Sequence, residues 1–100
     1  MKIAVTNIGR AFGRQTRAYA EYRVFSSLAR FSGVVLDATV YLRPPTVRGR
    51  SIVCRISVTV DRGARLHVAA RGRHPYDAIN RAADLIGDAV RTHGDVAATP

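Results

Sequence analysis

Hydrophobic and polar positions alternate in three runs along the middle of this chain. In the first, Leu36, Ala38, Val40 and Leu42 point one way and Asp37, Thr39, Tyr41 and Arg43 the other. In the second, Ile52, Cys54, Ile56, Val58 and Val60 alternate with Val53, Arg55, Ser57, Thr59 and Asp61. In the third, Ala64, Leu66, Val68 and Ala70 alternate with Arg65, His67, Ala69 and Arg71. A period of two marks a strand with one buried and one wet face, the habit of antiparallel sheets. Asp61-Arg62-Gly63 reads as a tight hairpin turn. Pro44-Pro45 to Ser51 reads as a longer, basic connection carrying Arg48 and Arg50. Ahead of these runs, Lys2 to Thr6 predicts a short strand with Ile3 and Val5 on one face, followed by a loop from Asn7 to Gly13 with two glycines.

The period lengthens to that of a helix on both sides of the three strands. From Arg14 to Phe31, Ala18, Tyr22, Phe25 and Ala29 recur at helical spacing with Leu28 beside them, which predicts a buried stripe. Arg23 and Arg30 then fall on the opposite, wet face. Arg10, Arg14 and Arg17 gather at the start of this helix, where positive charge opposes the macrodipole. A placement that costs stability suggests service to a partner. Ser32-Gly33 is the expected stop. The last helix starts near Pro75, with Asp77 in its first turn. Its apolar face is Tyr76, Ile79, Ala82, Ala83, Ile86 and Val90, and Gly94 is the expected end. The order is β-α-β-β-β-α, an α+β fold in which both helices pack on the apolar face of a four-stranded sheet, as in double-stranded-RNA-binding domains. Residues 1–93 form one domain in this reading, and 94–100 a flexible tail.

One hundred residues leave no room for a second core. No apolar run approaches the roughly 18 residues of a membrane span, and the N-terminus lacks the apolar stretch of a signal peptide. Cys54, the single cysteine, cannot form an internal disulfide. The expected setting is therefore the cytoplasm.

Charge changes the picture more than any other property. Sixteen basic residues, all but Lys2 arginine, face seven acidic ones. Arginine suits bidentate phosphate contacts. Up to Arg73 the only acids are Glu21, Asp37 and Asp61, whereas Asp77, Asp84, Asp88 and Asp95 all fall in the last quarter. A polyanion-binding surface should come mainly from the first three quarters. The basic residues placed at such a surface are Arg10, Arg14, Arg17, Arg23, Arg30, Arg48, Arg50, Arg71, Arg73, Arg81 and Arg91. Arg81 and Arg91 stand at helical spacing from Asp77, Asp84 and Asp88, so local ion pairs compete for them.

Other chemistry is thinly represented. His67, His74 and His93 are scattered, none at ligand spacing with another His or Cys, so no metal site is expected. Cys54 alternates with the apolar face of a central strand and reads as an inert buried thiol. Gly9 to Thr16 lacks the spacing and lysine of a phosphate loop, although a Gly-Arg loop before a helix suits a backbone phosphate. The wet sheet face carries Tyr41, Arg43, Arg55, Arg65, His67 and Arg71. It has neither the several exposed aromatics nor the strand order of an RNA-recognition-motif domain, and Asp37 and Asp61 are available there to pair with the arginines. The expectation is a non-enzymatic chain without cofactor or small-molecule substrate.

The β-α-β-β-β-α order, the segment Phe25-Ser26-Ser27-Leu28-Ala29-Arg30-Phe31 and the helix opening Tyr76-Asp77-Ala78-Ile79-Asn80 resemble the ribosome hibernation promoting factors, also called ribosome-associated inhibitor A. The segment from Leu42 to Ile56, with Cys54-Arg55-Ile56, resembles a stand-alone, divergent branch. The likeness covers about Met1 to His93. It implies a factor that binds ribosomal RNA of the small subunit, occupies the channel used by messenger and transfer RNA, and regulates translation under stress. It also implies that a chain of this length lacks the C-terminal domain with which longer members pair ribosomes. Three positions depart from the family pattern. Asn80 replaces the usual Asp, and Leu85 and Asp88 stand where the last helix usually offers basic residues. The alternative function is a protein-interaction module of the same fold that has lost RNA, with Leu85 as an exposed anchor.

Overall fold

The computed structural model describes residues 2–6, 12–44 and 51–98, with side chains described up to residue 94. Strand β1 (Lys2–Thr6) leads to helix α1 (Arg14–Leu28), which tightens into a 3-10 turn at Ala29–Phe31. Strands β2 (Val35–Arg43), β3 (Ile52–Val60) and β4 (Arg65–Gly72) follow, and helix α2 (Pro75–Ala98) closes the chain. The order is the expected one. The four strands form one sheet in the order β1-β2-β3-β4, with β1 parallel to β2 and the other pairs antiparallel. Helix α1 is the crossover that a parallel β1-β2 neighbour pair requires. Arg10, Arg48 and Arg50 lie outside the described residues, as does most of the two connections that carry them.

Both helices cover one face of the sheet. Ile52, Cys54, Ile56, Val58 and Val60 of β3 are all buried, against Ala20, Val24 and Leu28 of α1 and Ile79, Ala82, Ala83, Ile86 and Val90 of α2 in one continuous core. No charged or polar residue is buried with them among the described residues. The chain turns from β4 into α2 at Gly72, where a Cβ would sit 2.7 Å from the backbone nitrogen of Ala78. Only a bare backbone fits there. The β3–β4 turn holds Arg62 at φ 69° and Gly63 at φ 81°.

Three expectations fail in detail. First, β2 buries Val35, Ala38, Val40 and Leu42, while Leu36 is 53% exposed. Val35 pairs with Val60 and Asp37 with Thr59, so Leu36 is the extra residue of a β-bulge and the alternation slips there by one. Second, α1 buries Ala20, Val24 and Leu28, not the aromatic stripe: Tyr22 is 66% and Phe25 53% exposed, and Ala18 and Ala29 face solvent with them. At about 100° per residue the two stripes lie roughly 130° apart around the helix. The slimmer one faces the sheet, while Tyr19, Arg23 and Ser27 on its flank face α2. Arg23 therefore lies between the helices and not on the wet face. Third, α2 does not stop at Gly94 but continues to Ala98. One glycine costs a helix about 1 kcal/mol relative to alanine, too little to end it unaided.

Candidate nucleic-acid interface

The topology gathers positive charge at one end of the molecule. Helix α1 runs back from the end of β1, and α2 runs back from the end of β4. Contacts follow their common direction: Tyr19 stacks on Tyr76 with ring centroids 4.3 Å apart, Arg23 reaches Asn80 and Asp84, and Ser27 meets Gly87. The helices are therefore parallel, with both N-termini at the end where β2 and β4 finish. Arg14 and Arg17 open α1, Arg43 ends β2, and Arg71 and Arg73 lie at and beyond the end of β4, all exposed. Arg43 and Arg71 flank Val53 in register on the same face, about 10 Å apart across two strand spacings. Arg81 joins them by donating from Nη1 to the carbonyl oxygen of Arg71 at 3.1 Å. The first turn of α1 holds no acid, and its N-cap, Gly13, offers no side-chain cap. Two macrodipoles and a group of guanidinium ions thus point the same way, with Asp77 the acid of α2's first turn.

The remaining predicted arginines lie further down the groove between the helices. Arg23 is held on every side. Its Nε donates to Asn80 Oδ1 at 3.1 Å, its Nη1 to Ser27 Oγ at 2.9 Å, and its Nη2 to Asp84 at 2.7 Å. Asn80 Oδ1 also accepts from the Tyr19 hydroxyl. Asn80 is thus the hub of an interhelical strap, and Arg23 ties scaffold together. Arg91 pairs with Asp88 at 3.3 Å, a solvent-exposed contact worth little. Arg30 is exposed and lies 5.8 Å above the Phe31 ring. With Ser26, Gly87 and the acids Asp84 and Asp88, these side chains line a polar groove of about 290 Å³. The groove pairs two of its three arginines with carboxylates, whereas, among the described residues, none of the arginines at the helix N-terminal end is so paired.

Neutralisation by carboxylates is the test this surface had to pass. Among the described residues only Arg23 and Arg91 have a carboxylate within 4.0 Å. Arg81 pairs with neither Asp77 nor Asp84, and Asp37 and Asp61 pair with none of the sheet arginines. Arg43, Arg55 and Arg65 were legible only as members of a wet face. The strand order itself places Arg43 beside Arg71, a signal that reading one strand at a time overlooks.

The described residues hold no cluster of three metal-type side chains. His74 accepts at Nδ1 from the Tyr76 backbone N–H at 3.2 Å, capping α2, and meets the Tyr76 ring edge-on. His67 stands exposed on the sheet. Burial pushes the Cys54 thiol up from 9.0 to about 12, so it stays protonated and unreactive at neutral pH. No described helix is long and apolar enough to cross a membrane.

A four-stranded mixed sheet with two parallel helices on one face and this strand order is a fold already seen in ribosome-interface proteins. The N-terminal domain of Protein Y from Thermus thermophilus matches with a TM-score of 0.69 and 24% identity, over 92% of this chain and 94% of that one. A ribosomal subunit interface protein from Coxiella burnetii matches with a TM-score of 0.76 and 11% identity, over 95% of this chain and 99% of that one. At these identities the likeness is one of fold, and it is the fold that the resemblance in the sequence implied. No family model and no curated protein matches the sequence.

Proposed function

We propose that this chain is a non-enzymatic, ribosome-associated factor that binds RNA of the small subunit and occludes the messenger- and transfer-RNA channel by occupying it. The observation that carries the reading is the uncompensated basic end, where Arg14, Arg17, Arg43, Arg71 and Arg73 lie beside two helix N-termini without a carboxylate partner. Guanidinium groups so placed contact phosphates without reading sequence, and the shape of the RNA cleft supplies the selectivity. The fold shared with a ribosomal subunit interface protein supports the choice of partner. Arg23, spent on the interhelical strap, takes no part in this contact. Arg30 and Arg91 add at most a secondary one.

Competition tests it. The full chain should co-sediment with purified small subunits, and prebound messenger RNA with transfer RNA should block it. Binding unaffected by both occupants would remove the channel from the account. A second reading, docking to a protein, draws on the exposed Leu85, at 45%, and on Tyr22 and Phe25. Partners captured after nuclease treatment would favour it.

A further inference from the structure

We propose that the open face of the sheet, on the far side from the helices, is a second RNA-binding surface that holds a single-stranded segment, with one base stacked on Tyr41 and the flanking phosphates against Arg43, Arg55, Arg65 and Arg71. It rests on the RNA-binding part of the reading above and extends it to a face that the helices leave bare.

The register builds this surface. Tyr41 pairs directly with Arg55 across β2 and β3, and Arg55 pairs with Ala69 on β4. Arg43 and Arg71 bracket Val53 one step further along, and His67 lies opposite Ser57. Small residues at 57 and 69 leave a shallow depression of about 500 Å³, whose walls include Tyr41, Arg55, Arg65 and His67. A second depression, of about 420 Å³, lies on the other side of Tyr41 and Arg55, bounded by Arg43 and Pro44. Tyr41 is 37% exposed between the two, with a cation on each flank.

Charge selects the occupant. The face bears four arginines with no carboxylate within 4.0 Å among the described residues; Asp37 stands at the far end of β2 from Arg43, with Thr59 between it and Arg65, and Asp61 lies in the β3–β4 turn. A polyanion complements such a surface. Within that class the ring favours nucleic acid, since a base offers a flat face to stack and an acidic peptide does not. A single ring can receive a base only if that base has left its own stack, which points to single-stranded RNA and not to a duplex. Arg43 and Arg71 belong both to this face and to the basic end, so one strand can pass from one to the other. Cations on two adjoining surfaces suit a domain seated in a cleft walled by RNA.

A ten-nucleotide oligouridylate and purified small subunits are the two probes, used with the full chain. Tyr41→Ala should bind the oligonucleotide about tenfold more weakly, the loss of one stacked base. Arg55→Ala with Arg65→Ala should reduce the salt slope by about 1.4, two single-strand phosphate contacts. Ultraviolet cross-linking should attach the oligonucleotide at Tyr41. All of these side chains are solvent-exposed, and unchanged melting will show the variants folded. Wild-type affinity and slope in both variants, or cross-links lying wholly outside β2 to β4, would overturn the proposal. So would polyglutamate binding with the same dependence on Tyr41. If subunits bind while the sheet variants are indifferent on both probes, the sheet proposal falls and the ribosomal reading stands. If Tyr41-dependent oligonucleotide binding persists without subunit binding, the reverse holds.

Discussion

Replacing Arg23 by alanine separates a scaffold from a contact. The side chain is 25% exposed and donates to Asn80, Ser27 and Asp84. Two bonds to neutral acceptors are worth about 1 kcal/mol each. The Asp84 carboxylate is 70% exposed, so screening discounts that ion pair to about 0.5 kcal/mol. Solvent entering the vacated groove re-satisfies Ser27 and Asp84, while Asn80 keeps the Tyr19 hydroxyl. The expected loss is about 2 kcal/mol, or roughly 10 °C in melting temperature for a domain of this size. Calorimetry measures the loss, and a double-mutant cycle with Asp84→Ala isolates the ion pair at about 0.5 kcal/mol. Arg23→Lys keeps the charge but loses the fork, and should recover little of the stability. At a temperature where the variant is folded, its affinity for small subunits and its salt slope should match wild type. An unchanged melting temperature with weaker, less salt-sensitive RNA binding would refute the assignment and return Arg23 to the interface.

Three further outcomes follow from the fold. Gly72→Ala drives a Cβ into the Ala78 backbone nitrogen and Asp77, so denaturant titration should show a loss of about 3 kcal/mol or no folded protein. Arg62→Gly removes a left-handed, non-glycine residue from the β3–β4 turn and should stabilise by about 1 kcal/mol in the same assay. For Cys54, the folded chain keeps a proton that the unfolded chain sheds between pH 9.0 and about 12. Stability is insensitive to this group below pH 9 and falls above it by about 1.4 kcal/mol per pH unit. Cys54→Val should lack that component when urea unfolding is compared across the window, and an equal slope in both proteins would contradict the burial argument.

Element order and the face of β3 were legible because alternation is unambiguous where every inward position is Ile, Val or Cys. The inward side of α1 was not. Ala20, Val24 and Leu28 and the stripe of Ala18, Tyr22, Phe25 and Ala29 are both helically spaced, and the aromatic one is the more hydrophobic in appearance. What decides between them is the shape of the angle between the sheet and α2, which no single helix encodes. The bulge at Leu36 was hidden for a related reason: one extra residue leaves the composition of β2 unchanged while exchanging its faces. At the candidate interface, the excess of arginine and its bias toward the front of the chain were visible. The division of labour was not, because Arg23 looks like its neighbours until Asn80 and Asp84 are set across from it.

The salt dependence of binding to isolated small subunits tests the central claim most directly. If the basic end and the sheet together neutralise about six phosphates, log K against log salt should fall with a slope near −5, with each arginine removed from the basic end flattening it by about 1. No binding at low salt, or a slope near zero that Arg14→Ala and Arg73→Ala leave unaltered, would contradict it.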